Sequence, residues 1–303
     1  MLNQILRYLK LTILSRLGRY PLTTGKMEPA PVFILSAGRS GSTLLRKILL
    51  RTGYISIPPE SHYLIPKLTF LFIKHSYRPW DELVEILLKD IETKSYFNYW
   101  KLTATKEDVV YLKNNLPHSL DAFLHFFYHK YTTIHHPQAI IWGDKTPLLT
   151  YHTDIIDQIY PSAKYIVLTR DGRDVIASFI ENDIYTDISY LSRRWIKSLA
   201  VRDSLLKTKG NGLVHSVRYE DLVCQPLEEV AKICQFLAIP FHPVYIEDTH
   251  VYLGDDQQKH FNSTKSGIHA SHIGKWKTTL SIQQKNEIEK AISKELKKNN
   301  YLL

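Results

Sequence analysis

The sequence predicts an α/β protein: a central parallel sheet flanked by helices, with a helical insertion after the first strand–helix unit. Two strand–loop–helix units and a run of alternating elements carry that reading. In Pro31–Leu50, the apolar run Val32-Phe33-Ile34-Leu35 has the length of a short buried strand. Ser36, Ala37, Gly38, Ser40, Gly41, Ser42 and Thr43 supply a loop of small residues. Leu44, Leu45, Ile48 and Leu49 then recur at helical spacing. Residues 165–179 repeat the plan, with the apolar run Tyr165-Ile166-Val167-Leu168, the turn Arg170-Asp171-Gly172-Arg173-Asp174, and a helix carrying Val175, Ile176 and Phe179. Apolar runs at Ala139–Trp142 and Leu213–Arg218 alternate with helical segments, the order a parallel sheet needs.

From the start of the chain, residues 1–30 form a distinct arm. Leu2, Ile5, Leu6, Leu9, Ile13 and Leu17 fall on one helical face, with Arg7, Lys10, Arg16 and Arg19 around it. A helix packed on the domain and an in-plane contact with a membrane through residues 1–20 both fit this pattern. A secretory signal does not, because its apolar region is uninterrupted and ends at a small-residue cleavage site. Residues 31–303 read as one domain. Within it, residues 61–133 form a mostly helical insertion: Asp81–Thr93, Lys106–Asn114 behind Thr105 as N-cap, and Leu120–Tyr131, whose Phe123, Phe126, Phe127 and Tyr128 read as core. In the helix 188–208, Arg193-Arg194 read as a charged outer face and Trp195 as buried. Ser281 and Gln284 form a capping box that opens the last helix.

The first loop aims unpaired backbone N–H groups and a helix N-terminus at one point, which suits phosphate or sulfate. Arg39 and the hydroxyls of Ser40, Ser42 and Thr43 add charge and donors there. The loop is not the nucleoside-triphosphatase pattern G-x-x-x-x-G-K-[ST], since two residues separate Gly38 from Gly41 and no Lys follows. The later strand runs into Thr169-Arg170 rather than into an aspartate suited to Mg²⁺. A nucleophile elbow, G-x-S-x-G, fails because Ser42 stands where its last Gly belongs. In the second unit, Arg170 leaves the strand's end and Ser178 lies about two helical turns on; both can donate to a phosphate.

Composition agrees. Of 303 residues, 44% are hydrophobic and 23% charged, as in globular proteins, and 39 basic against 30 acidic residues give a net charge of +9. That balance suits a polyanionic ligand, an acidic glycan or a membrane surface; no nucleic-acid-binding motif accompanies it, so no nucleic-acid partner is expected. The only cysteines, Cys224 and Cys234, make no disulfide framework, and a reducing cytoplasm is the expected compartment. No H-E-x-x-H occurs, and no metal is expected. No apolar run reaches the roughly 18 residues of a membrane span.

Together these motifs resemble the PAPS-dependent sulfotransferases (PAPS is 3′-phosphoadenosine 5′-phosphosulfate), and most closely the branch of protein-tyrosine and carbohydrate enzymes with their bacterial relatives. The resemblance implies a P-loop-NTPase-like sheet. It places Gly38, Arg39, Ser40, Gly41, Ser42 and Thr43 on the donor's 5′-phosphosulfate, and Arg170 with Ser178 on its 3′-phosphate. It continues through Trp142-Gly143-Asp144-Lys145-Thr146-Pro147, through Val217–Val223 with Tyr219 on the donor, and through Ile273–Lys277. Glu60, which lies 21 residues after Arg39, matches the branch's catalytic base. Lys145 matches a lysine that steadies the sulfuryl group, and Ser263 and Lys275 match a serine and a lysine that touch donor oxygens. His62 is a second candidate base. The setting of Glu60, Pro58-Pro59-Glu60-Ser61-His62, departs from the branch, and the Arg-Lys-Gly triplet of cytosolic relatives is missing. The Golgi relatives carry a signal anchor; none is read in this sequence, and a bacterial-type soluble relative is the expectation.

The implied reaction uses PAPS as donor, yields PAP (adenosine 3′,5′-bisphosphate), needs no metal, and sulfates a hydroxyl of a carbohydrate, lipid, tyrosine or small alcohol. Such a transfer needs a proton acceptor within hydrogen-bond reach and cations at the leaving oxygen. Two alternatives stay open: a P-loop kinase for a nucleotide or small molecule, which would use ATP and Mg²⁺, and a non-catalytic nucleotide-binding, membrane-associated protein. Oligomeric state is not written in these motifs.

Overall fold

The computed structural model describes residues 13–15, 17–25, 27–93, 96–247 and 268–301. Its strands are β1 (Val32–Leu35), β2 (Ile55–Ser56), β3 (Ile141–Asp144), β4 (Lys164–Thr169) and β5 (Val214–Arg218). Its longer helices are α1 (Ser42–Arg51), α2 (Leu64–His75), α3 (Trp80–Thr93), α4 (Lys106–Asn114), α5 (Leu120–His135), α6 (Gly172–Glu181), α7 (Ile188–Lys209) and α8 (Ile282–Lys298). The strands form a five-stranded sheet in the order β2-β3-β1-β4-β5. The pairing is parallel, with Val32 opposite Gly143, Ile55 opposite Ile141, and Tyr165 to Thr169 opposite Val214 to Arg218. All four residues of β1 are buried, which is why it reads as an unbroken apolar run. Loops at the carboxyl ends of such strands are where α/β proteins bind ligands.

The chain packs as two compact units. In the first, which includes Gly53–Lys164, helices α2 to α5 bury Leu68, Phe72, Leu83, Leu87, Phe123, Phe127 and Tyr128. Thr105 caps α4 as predicted: its hydroxyl accepts from the Asp108 N–H (3.2 Å) and the Asp108 carboxylate accepts from the Thr105 N–H (2.7 Å). Helix α5 runs one turn past the predicted Tyr131. Strand β3 begins two residues later than predicted and takes in Gly143-Asp144, whose polar look in sequence hides a central strand position. Gly143 is needed there, because a Cβ would stand 2.6 Å from the Val32 carbonyl oxygen. Of the arm, Ile13–Ser15 are helical, Leu17 is exposed, and the Arg19 N–H donates to the Ser76 carbonyl (3.2 Å). Tyr20 and Leu22 are buried, and the Asp121 carboxylate accepts from the Thr24 N–H at 2.7 Å. Leu2, Ile5, Leu6 and Leu9 lie outside the described residues, among which no helix is long and apolar enough to cross a membrane.

The same unit carries a proton-linked contact. The Trp142 indole N–H donates to His125 Nδ1 at 2.9 Å, so this nitrogen must be unprotonated. Burial, with His129 beside it, holds the His125 pKa below the usual imidazole value. Above the unfolded-state pKa of about 6.5 the ring is neutral in both states. As pH falls below that value, the unfolded chain binds the proton first and the folded state loses stability. The urea midpoint is expected to drop between pH 7.5 and pH 5.5, and the drop should be smaller in His125→Gln; equal slopes in the two proteins would remove this contact from the account.

In the second unit, α6, α7 and α8 pack Val175, Ile176, Phe179, Trp195, Ile288 and Ile292 into one core. The predicted capping box at Ser281 and Gln284 is present. Trp195 is buried as predicted, and its indole N–H donates to the Arg170 carbonyl at 2.9 Å.

Candidate active site

The loop between β1 and α1 is wound in the left-handed region, with φ of 86° at Gly38, 53° at Arg39 and 90° at Gly41. Successive residues of this kind turn backbone N–H groups inward and form an anion-binding concavity. The Gly38 N–H donates to Ser36 Oγ (3.3 Å), and the Ser40 hydroxyl donates to the Gly38 carbonyl (3.2 Å). Gly41 precedes α1 without any side-chain cap, so the helix's positive end is left for a ligand. Gly41 also admits Tyr219: a Cβ at this position would stand 2.4 Å from the tyrosine ring.

Arg170 ties the two predicted phosphate motifs together. Its Nη1 donates to the Arg39 carbonyl (3.1 Å), and its Nη2 to the His272 carbonyl (2.6 Å). Its guanidinium lies 4.4 Å from the centre of the Tyr219 ring, and its Nε is buried with no hydrogen-bond partner. An orphaned buried donor beside an N–H-lined loop fits an oxyanion. Ser178, which the resemblance places with Arg170 on the 3′-phosphate, accepts through its hydroxyl from Arg39 Nε at 3.1 Å and so ties α6 to the loop's cation. The structure therefore gathers Gly38, Arg39, Ser40, Gly41, Arg170, Ser178 and Tyr219. Ser42 and Thr43 open α1. Lys275 engages Glu181 (2.6 Å), and Ser263 lies outside the described residues.

Glu60 and Lys145 meet in the other unit. Lys145 Nζ donates to Glu60 Oε1 at 2.6 Å, the lysine side chain being 1% and the glutamate side chain 26% exposed. Flanking bonds hold both: the Trp100 indole N–H donates to the Pro59 carbonyl (2.9 Å), and the Ser61 N–H to the Thr146 hydroxyl (2.9 Å). Behind them the buried Asp144 accepts from the Tyr128 hydroxyl, and burial pushes its carboxyl above the usual carboxylate range. This pair offers a partly exposed carboxylate for a proton and a fixed ammonium for negative charge. His62, the other candidate base, sits with φ of 49° and faces the Tyr99 ring edge-on at 6.4 Å.

Two contributors went unrecognised in the sequence. Arg194, read as an outer charge, donates from Nε to the Ala37 carbonyl at 2.9 Å and so braces the loop between β1 and α1. Asp174 accepts the N–H groups of Gly274 and Trp276 (2.8 and 2.9 Å). Neither contact has a sequence signature, because each ends on a backbone group far along the chain. Among the described residues, no cluster of three His, Cys, Asp or Glu side chains is arranged to hold a metal ion.

A left-handed loop braced by arginines between a parallel strand and a helix start is the kind of loop with which α/β proteins bind anions. The chain belongs to the sulfotransferase family, which matches residues 31–243. It is 27% identical over 144 residues to a putative protein-tyrosine sulfotransferase of Caenorhabditis elegans, covering 44% of this chain and 55% of that one. It is 22% identical over 302 residues to the nodulation protein NoeE of Sinorhizobium fredii, covering 89% and 66%. The chain thus spans about half to two-thirds of the length of these curated relatives. The sulfotransferase domain of the Synechococcus olefin synthase superposes with a TM-score of 0.63 at 23% identity, over 91% of this chain and 98% of that domain. That of the curacin pathway superposes with a TM-score of 0.58 at 23% identity, over 89% and 99%. These two structures share the fold.

Proposed function

We propose that the protein transfers the sulfuryl group of PAPS to a hydroxyl of an acceptor. The observation that carries this reading is Arg170, bonded to the Arg39 carbonyl, stacked on Tyr219, and holding a buried, unpartnered Nε at the phosphate loop. In this reading the loop amides and Arg39 bind the 5′-phosphosulfate, and Arg170 binds the 3′-phosphate. Glu60 takes the acceptor's proton as its oxygen bonds to sulfur. The bond from sulfur to the bridging phosphate oxygen breaks, and PAP leaves with the electron pair. Lys145 offsets the charge that develops in transfer, as preorganised cations do elsewhere. Similarity to protein-tyrosine sulfotransferases makes a tyrosine peptide the first acceptor to try.

The donor assignment predicts that PAP raises the melting temperature with no metal present, and that ATP with Mg²⁺ does much less. Arg170→Ala should weaken PAP binding by about 1.5–3 kcal/mol, the worth of hydrogen bonds to a charged group. Equal stabilisation by ATP with Mg²⁺, or unchanged PAP affinity in the variant, would count against the reading.

A further inference from the structure

Asp174 closes the Arg170–Asp174 turn, yet neither the binding of the phosphosulfate nor the proton transfer uses it. It is buried, and both of its carboxylate oxygens are committed to one short segment near the end of the chain: Oδ2 accepts from the Gly274 N–H (2.8 Å) and Oδ1 from the Trp276 N–H (2.9 Å). Gly274, with φ of 71°, makes the turn that presents both amides. The segment returns a contact to the same turn, since the His272 carbonyl accepts from Arg170 Nη2 at 2.6 Å. The Arg173 guanidinium also lies 4.4 Å from the centre of the Trp276 ring. One chain of bonds thus runs from Asp174 through residues 272–276 to Arg170, and from Arg170 to the Arg39 carbonyl.

A guanidinium is a rigid planar fork. With Nη2 held by His272 and Nη1 by Arg39, its plane is fixed against Tyr219 and its Nε has one direction in which to point. Loosening the His272 carbonyl frees that plane to rotate. We propose that Asp174 is a positioning residue for the donor: it pins residues 272–276 to the start of α6, and the His272 carbonyl then orients Arg170 toward the donor's 3′-phosphate. This rests on the reading of Arg170 as the 3′-phosphate ligand.

The charge of Asp174 makes the sign of the test decisive. Its Oδ2 lies 4.0 Å from Arg170 Nη2. If Asp174 served only as a counter-charge, Asp174→Asn would remove a repelling carboxylate and strengthen binding of an anion. If it positions Arg170, the asparagine amide sets an N–H group against one of the two backbone N–H donors, and binding weakens. The experiment is calorimetric titration of the full-length protein with two probes that share a 5′-phosphate, adenosine 3′,5′-bisphosphate and adenosine 5′-monophosphate. Asp174→Asn should lose about tenfold in affinity for the bisphosphate, in line with hydrogen bonds to a charged group, and almost nothing for the monophosphate. Stronger or unchanged bisphosphate binding overturns the proposal, and so does an equal loss for both probes. If the wild-type protein binds both probes equally, the reading of Arg170 itself falls and takes this proposal with it. A second pair of variants guards against misfolding. Trp276→Pro removes one N–H at the first position of the turn Trp276–Thr279; because Lys275 before it is in the α region (φ −58°, ψ −28°), which a following proline disfavours, its unfolding midpoint is measured beside the affinities. Trp276→Ala keeps that N–H and removes the same ring. The selective loss should be larger in the proline variant; equal values would contradict the proposal.

Discussion

Glu60→Gln is expected to lower single-turnover sulfuryl transfer by about 10²–10⁴, the usual cost of losing a positioned general base. The amide keeps the size of the side chain, and its oxygen can still accept from Lys145, which donates to Glu60 at 2.6 Å. Affinity for PAP should therefore hold while the chemical step slows. His62→Ala should have a much milder effect, because Lys145 donates to Glu60 and the spacing from Arg39 matches Glu60, whereas the His62 ring faces Tyr99. Stopped reactions with saturating donor separate the two residues. Near-normal turnover in Glu60→Gln with a collapse in His62→Ala would move the base to His62, and two active variants would place it on another residue.

Gly41→Ala should be the most damaging single-methyl change in the donor loop. Two effects act together. A φ of 90° costs a non-glycine residue about 1–3 kcal/mol. The new methyl would also stand 2.4 Å from the Tyr219 ring, which backs Arg170 at 4.4 Å. The ring must shift, and Arg170 loses its support. The expected result is a lower unfolding midpoint in urea and a PAP affinity reduced at least tenfold. The double variant Gly41→Ala/Tyr219→Ala relieves the clash and should recover part of the stability but not the affinity. Wild-type affinity in Gly41→Ala would show that the left-handed loop is not what holds the phosphate.

The parts that could be read from sequence are those that declare themselves locally. Strands β1 and β4 are buried along nearly their whole length, so they appear as continuous apolar runs. The capping boxes at Thr105 and Ser281 need only residues three apart. The phosphate loop shows because glycine and serine are what a left-handed turn at a helix start requires. Strand β2 has two residues, too few for any periodicity. Gly143-Asp144 fell outside the predicted strand because the reason for the glycine is a carbonyl on another strand. The Glu60–Lys145 pair joins positions 85 apart, and only likeness to a family had suggested it. The bond from Arg39 to Ser178 was not foreseen, because residue type and spacing tell which groups can donate but not which neighbour they meet. Arg194 and Asp174 act on backbone atoms, and those carry no letter in the sequence.

The central claim is that this chain moves a sulfuryl group from PAPS. Incubating the purified protein with PAPS labelled in its sulfate and a fractionated lysate, in buffer with chelator, tests it directly. The prediction is label transferred to a hydroxyl-bearing fraction, with PAP released in equal amount and with Arg170→Ala and Glu60→Gln both far slower. Intact donor and no labelled fraction, or label arriving only from the terminal phosphate of ATP when Mg²⁺ is restored, would contradict it.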